Sequence, residues 1–98
     1  MTTTNIDFLT TLERVIQARL EQPVEGSYTT ELIAAGQKRI AQKVGEEAVE
    51  LALASVSSDR LETTEEAADL FYHVLVLLNN MGIGLCDVVA TLEARHSR

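Results

Sequence analysis

Apolar residues recur at helical spacing through most of the chain. Leu9, Leu12, Val15, Ile16 and Leu20 form one stripe, which predicts a helix over about 6–21. Asn5 or Thr4 is placed to cap it, and Pro23 with Gly26 ends it. Ser27, Thr29 and Thr30 offer side-chain oxygens for a new start. Residues 31–35 then read as a turn or two of helix, before Gly36 breaks or bends the path. A long helix follows over about 37–56. It is apolar on two faces: Ile40, Val44, Ala48 and Leu51 on one, Val49, Leu53 and Val56 on the other. Its polar strip holds Lys43, Glu46, Glu47 and Glu50. The segment SVSSDRLETT reads as a polar connection, and Thr63 with Glu66 three residues on has capping-box spacing. The helix it starts runs to about Met81 and is apolar nearly all round, the pattern of a buried helix. Gly82 and Gly84 stop it, and a last helix over about 85–95 has Leu85, Val88, Val89 and Leu92 facing inward.

The fold class that follows is all-α: a bundle-like domain of four to five helices, with residues 1–98 as a single domain. Apolar residues make up 46% of the chain, yet only two Phe and two Tyr are present. The core is therefore built from Leu, Val, Ile and Ala. A chain this short leaves about a third of its unfolded surface in water. That is too much exposure for a helix apolar on every side, and we expect an intertwined homodimer with a core-like interface.

Charge narrows the chemistry. Fifteen acidic residues against eight basic give a net charge of −7, which argues against a nucleic-acid binder with its basic footprint. Phosphate binding stays open if a divalent cation stands between the two. Cys86 is the one cysteine, so no internal disulfide is expected, and it reads as a small buried hydrophobe in a reduced cytoplasmic protein. MTTTNIDFLTTLERV lacks the basic and apolar regions of a signal peptide. The longest apolar run, 74–78, is far shorter than the roughly 20 residues that span a bilayer. No membrane partner is expected.

The acidic residues fall in two sets. Helical residues at i, i+3 and i+4 share a face, so Glu46, Glu47 and Glu50 in KVGEEAVELALAS project together, and Glu66 and Asp69 in EAADLFYHVLVLL do likewise. If the two helices pack antiparallel, up to five carboxylates converge. Such a group resists burial because like charges repel and ions favour water. Either the carboxylates are protonated or separated in solvent, or a hard divalent cation holds them. An exposed acidic face is the ordinary reading of the first set, and the capping box suffices for Glu66. Asp69 is harder to dismiss, since aspartate is a poor helix former and this one lies among Leu70, Phe71, Val74 and Leu75. Magnesium suits oxygen-only ligands and retains waters that a phosphate can displace; no Cys or His cluster suits zinc. The chemistry indicated is metal-assisted hydrolysis of a phosphoanhydride.

EExxE followed after a polar connection by ExxD resembles the MazG-like all-α NTP pyrophosphohydrolases. Within that superfamily, SYTTELIAAGQKRIAQKVGEEAVELALA, then EEAADLFYHVLVLL, a glycine turn and a final helix ending LEARH closely resemble the phosphoribosyl-ATP pyrophosphohydrolases over about 6–96. The resemblance implies magnesium ligands at Glu47, Glu50, Glu66 and Asp69. It implies a role for Glu46 in placing a further metal or the attacking water, so that Glu46 and Glu47 are the catalytic pair. It implies substrate-phosphate contact at Lys43. The reaction implied is the second step of histidine biosynthesis, phosphoribosyl-ATP to phosphoribosyl-AMP and pyrophosphate, in a helical homodimer with active sites near the interface. A separate phosphoribosyl-AMP cyclohydrolase is then a possible functional partner, between chains. Asn79-Asn80 departs from the small or apolar residues expected there.

Other residues have two readings each. His73, four after Asp69, is either a hydrogen-bond support to a metal-bound carboxylate or a packed core histidine. Lys38 and Arg39 are either phosphate contacts or solvated charges. Tyr28 and Thr29 either line a substrate pocket or serve capping and packing. Gly45, costly in a helix interior, implies a close approach of backbone or helix. Two rival functions share the pattern: a house-cleaning (d)NTP pyrophosphohydrolase, and a non-catalytic dimerisation module with a vestigial acidic face.

Overall fold

A computed structural model describes residues 5–97. Within them the chain forms five helices and no strand: α1 Phe8–Glu21, α2 Tyr28–Ala35, α3 Gln37–Val56, α4 Arg60–Asn80 and α5 Leu85–His96. The expected helices are all present, with differences at their ends. Asn5 does not cap α1; its Oδ1 accepts from Asp7 N at 2.8 Å, and a turn precedes the helix proper at Phe8. Thr4 lies outside the described residues. Ser27 caps α2, its hydroxyl accepting from Thr30 N at 3.2 Å. Gly36 alone joins α2 to α3, with φ +97°, a backbone conformation that a side chain would strain.

The α4 start corrects the sequence reading. Asp59 is the N-cap, its Oδ1 accepting from Glu62 N at 3.0 Å. Thr63 lies inside the helix, and its hydroxyl donates back to the Asp59 carbonyl at 2.7 Å. Arg60, Leu61 and Glu62 are good helix formers, so the helix extends to the earlier cap. No capping box forms at Thr63, and the Glu66 carboxylate is left free for other work.

The core joins Ile16 of α1, Leu32 of α2, Ile40 of α3, and Leu75 and Val76 of α4. Leu9, Leu12 and Leu20 pack against it from the α1 stripe, while Val15 turns outward. The three-residue connection at 57–59 folds α3 back against α4, antiparallel, as short helix–helix connections do. Their contact is the most extensive in the molecule.

Several expected core positions are open to solvent. The second apolar face of α3 (Val49, Leu53 and Val56) is exposed. So is Phe71 of α4, at 56%. No residue of α5 is buried, and Val89 and Leu92, expected inward, are exposed. The helix turns 104° away from α4. An apolar groove of about 320 Å³ opens between α1, α4 and α5, lined by residues such as Leu70, Phe71, Val74 and Val88. The radius of gyration is 14.8 Å, above the ~13 Å usual for a chain of this length. Cys86 is exposed, not buried. No single described helix is long and apolar enough to cross a membrane.

Asn79 occupies a buried polar junction. Its Nδ2 donates to Glu13 Oε2 at 2.9 Å and to the Leu75 carbonyl at 2.9 Å, and its Oδ1 accepts from Gln17 Nε2 at 3.0 Å. Glu13 Oε2 also accepts from Leu85 N at 2.7 Å, a carboxylate placed at the N-terminus of α5, where unpaired N–H groups favour it. An apolar residue at 79 would take from the Glu13 carboxylate one of its two donors, which accounts for Asn79 in the departure noted in the sequence.

Candidate metal centre

The buried line of α3 runs through Ile40, Glu47 and Ala54, spaced by seven residues and so on one face. Glu47 therefore shares the side that packs on α4 and is only 7% exposed. On α4, Glu66, Asp69, His73 and Val76 repeat at intervals of three and four, a face shared with the buried His73 and Val76. The packing that buries Ile40, Ala54 and Val76 thus carries three carboxylates into one volume. Oxygens of Glu47, Glu66 and Asp69 all lie within 4.8 Å of one another. Glu47 is buried, Glu66 half-buried and Asp69 exposed, so the group opens to solvent on one side.

The electrostatics are unresolved within the chain. Glu47 Oε2 and Glu66 Oε2 are buried and have no hydrogen-bond partner among the described residues. The Glu66 carboxyl is pushed up from 4.5 to about 7, first by a hydrogen bond shared with the Glu50 carboxyl, then by burial and the charges of Glu50, Glu47 and Asp69. That hydrogen bond exists only while one partner holds a proton; two carboxylates can only accept. On losing the proton, the group needs a cation. Oxygens in mutual reach, two of them orphaned, fit a hard divalent ion.

Lys43 forms the only ion pairs among the described residues, and both are with this acidic group. Its Nζ lies 3.3 Å from Glu47 Oε1 and 3.7 Å from Glu46 Oε1. Burial works to lower the Lys43 pKa, but the hydrogen bond to Glu47 and the surrounding Tyr28, Glu47 and Glu46 side chains outweigh it, and the net shift is upward.

The other expected residues spread around this group. Glu50 is exposed and borders the same cleft as Glu62 and Glu66. Glu46 is exposed and accepts from Gln42 Nε2 at 3.0 Å. His73 reaches Asp69, though through its main chain: Nδ1 is 2.7 Å from the Asp69 carbonyl, and Nε2 is 3.1 Å from the Tyr28 hydroxyl. Lys38 is exposed, forms no ion pair among the described residues, and stands about 140° around the α3 axis from Lys43. A Cβ at Gly45 would meet nothing within 4 Å, so no close approach among the described residues accounts for that glycine. Glu62 was missed because the sequence reading left it in the connection; its i, i+4 spacing to Glu66 was the available signal.

Comparison with known proteins places this geometry in context. The family described as phosphoribosyl-ATP pyrophosphohydrolase matches residues 9–96. The histidine biosynthesis bifunctional protein HisIE of Escherichia coli K12 is 53% identical over 89 residues, 91% of this chain and 44% of the relative. The HisIE protein of Shewanella oneidensis is 50% identical over 91 residues, 93% of this chain and 43% of the relative. That of Pasteurella multocida is 52% identical over 91 residues, 93% of this chain and 45% of the relative. The chain therefore spans less than half the length of these relatives. With its family match covering nearly every described residue, the chain belongs to the phosphoribosyl-ATP pyrophosphohydrolase family.

Proposed function

We propose that this chain hydrolyses the α–β phosphoanhydride of phosphoribosyl-ATP to phosphoribosyl-AMP and pyrophosphate, as the second step of histidine biosynthesis, with magnesium as the metal. The observation that carries this reading is the triad of Glu47, Glu66 and Asp69, two of whose oxygens are buried without partners among the described residues, in a member of this family. Glu47, Glu66 and Asp69 would hold the ion, with Glu50 beside Glu66 as a fourth oxygen ligand. When bound, magnesium neutralises polyphosphate charge and lowers the pKa of water. Glu46, exposed at the edge of the group, orients the attacking water. Lys43, already held by Glu46 and Glu47, meets the charge that develops on the departing pyrophosphate. Positioning and electrostatics supply most of the rate in such a scheme.

The uncovered apolar surface supports a homodimer, and the residues that line the groove are its interface. A partnership with a phosphoribosyl-AMP cyclohydrolase fits the relatives whose names describe them as bifunctional. The net charge of −7 and the lone cysteine suit a reducing cytoplasm.

Pyrophosphate release with magnesium, from phosphoribosyl-ATP and from a panel of NTPs and dNTPs, tests the proposal. Expected is rapid release from phosphoribosyl-ATP that is lost with EDTA and scarcely seen with the panel. Glu47→Gln and Asp69→Asn should each abolish turnover while circular dichroism stays unchanged. Preference for a plain nucleotide would move the chain to the house-cleaning reading. Full activity in both variants would overturn the metal site.

A further inference from the structure

α5 stands beside an open apolar groove and does not close on it. None of its residues is buried, and Val89 and Leu92 are exposed. Leu85, Val88 and Leu92 form one wall of the groove, and Leu70, Phe71 and Val74 of α4 form another. Bringing two such walls together is favourable in water, so the 104° turn between the helices needs a restraint.

The connection supplies part of it. Gly82 N donates to the Asn79 carbonyl at 3.0 Å and Ile83 N to the Leu78 carbonyl at 2.9 Å, with Gly82 at φ +78°. These bonds close α4 in a Schellman turn. Past Ile83, only Gly84 separates that turn from α5. With no side chain to limit its rotation, Gly84 is the pivot. Two carboxylates flank it: a Cβ there would lie 3.7 Å from Asp87 Oδ2 and 3.8 Å from Glu13 Oε2. Asp87 accepts from Gly84 N at 2.8 Å, a cap that moves with its own helix. Glu13 reaches across from α1 and accepts from Leu85 N at 2.7 Å. Among the described residues, that is the only hydrogen bond from α5 to another helix. Glu13 is 9% exposed and is itself held by Asn79 Nδ2 at 2.9 Å.

We propose that Glu13 is a latch, a carboxylate on α1 that pins the first turn of α5 across the Gly84 pivot and so holds the apolar groove open for a second copy of the chain. Occupation of the groove by a second copy rests on the homodimer reading; the pinning of α5 does not. A carboxylate suits this place, because the free N–H groups and dipole at the start of α5 favour negative charge. Asn79 serves the latch from two sides. Its side chain aims the Glu13 oxygen, and its carbonyl closes the α4 turn.

Hydrogen exchange read by mass spectrometry on the full chain tests the latch, and sedimentation reports self-association. Leucine keeps the bulk and helix propensity of position 13 and cannot accept a hydrogen bond. In Glu13→Leu, amides over 86–96 should exchange about tenfold faster, the cost of one hydrogen bond to a charged group, while those of α3 and α4 stay within about twofold. Glu13→Gln keeps an oxygen that accepts from both N–H groups, and should stay within about threefold of wild type. Asn79→Leu leaves the Leu85 bond but frees the Glu13 side chain, so it should accelerate α5 by a smaller factor; it decides the matter if Glu13→Leu does not fold. From a dimeric wild type, the Glu13→Leu variant should self-associate about tenfold more weakly, the same hydrogen bond read through assembly. A monomeric wild type counts against the homodimer reading alone, and the exchange rates still decide the latch. Unchanged α5 exchange in Glu13→Leu and Asn79→Leu would overturn it. So would acceleration spread evenly over all five helices, or a Glu13→Gln variant as fast as Glu13→Leu.

Discussion

Glu66 holds its proton up to about 7 because the Glu50 carboxyl shares it and because Glu50, Glu47 and Asp69 crowd the anion. The folded-state value lies above the 4.5 of the free group, so the sign of the linkage is fixed. The favourable contribution is complete below 4.5 and is lost as pH rises through about 7. Metal-free protein should therefore lose melting temperature across that window relative to Glu66→Gln, and magnesium should restore it above the window by binding the native carboxylates. Thermal melts of both proteins against pH, with and without magnesium, check this; parallel curves for the two would contradict it. The acidic spacing behind this behaviour was legible in the sequence, because i, i+3 and i+4 repeats fix a common face. Which glutamate goes under was not. Glu46 and Glu47 are adjacent, about 100° apart around the helix, and only the packing of Ile40 and Ala54 on α4 decides that Glu47 is buried. The pairing of Tyr28 with His73 was beyond reach for a similar reason: the two are 45 residues apart, and no periodicity links two helices that distant.

At the scale of the helix, the start of α4 is the informative case. Two start signals compete there, Asp59 and the Thr63–Glu66 pair, and local chemistry allows both. The structure uses Asp59, which adds a turn to α4 and leaves Glu66 unoccupied by capping. Asp59→Ala should then destabilise the fold by about 1 kcal/mol in urea unfolding, the usual loss of an N-cap. Thr63→Ala should leave stability level or raise it slightly, since alanine is the better helix former in a helix interior. The reverse order would restore the capping box. The bounds of α3 were legible because Gly36 and the serines after Val56 mark them strongly. The surroundings of α5 were not, since its apolar spacing says that a face wants cover and nothing about which surface covers it.

On the scale of the whole molecule, the sequence carries more apolar helix surface than five helices hide. Phe71, at 56% exposed, stands at the centre of this excess: it lines both the groove against α5 and the cleft toward Phe8 and Leu12. A second copy of the chain is the proposed cover. Phe71→Glu puts a charge into that face while removing little burial from the isolated chain, so its effect separates assembly from folding. Light scattering on the wild type at micromolar concentration should give the mass of a dimer, and Phe71→Glu that of a monomer with helical content retained. Burying an unpaired carboxylate at each copy of such an interface is strongly unfavourable. Glu47, Glu66 and Asp69 all come from one chain, so the monomeric variant should still gain melting temperature with magnesium. A wild type of monomer mass, or a Phe71→Glu variant that stays dimeric, would mean that the apolar face has another purpose. Loss of turnover together with retained magnesium stabilisation would show that assembly completes the substrate pocket and not the metal site.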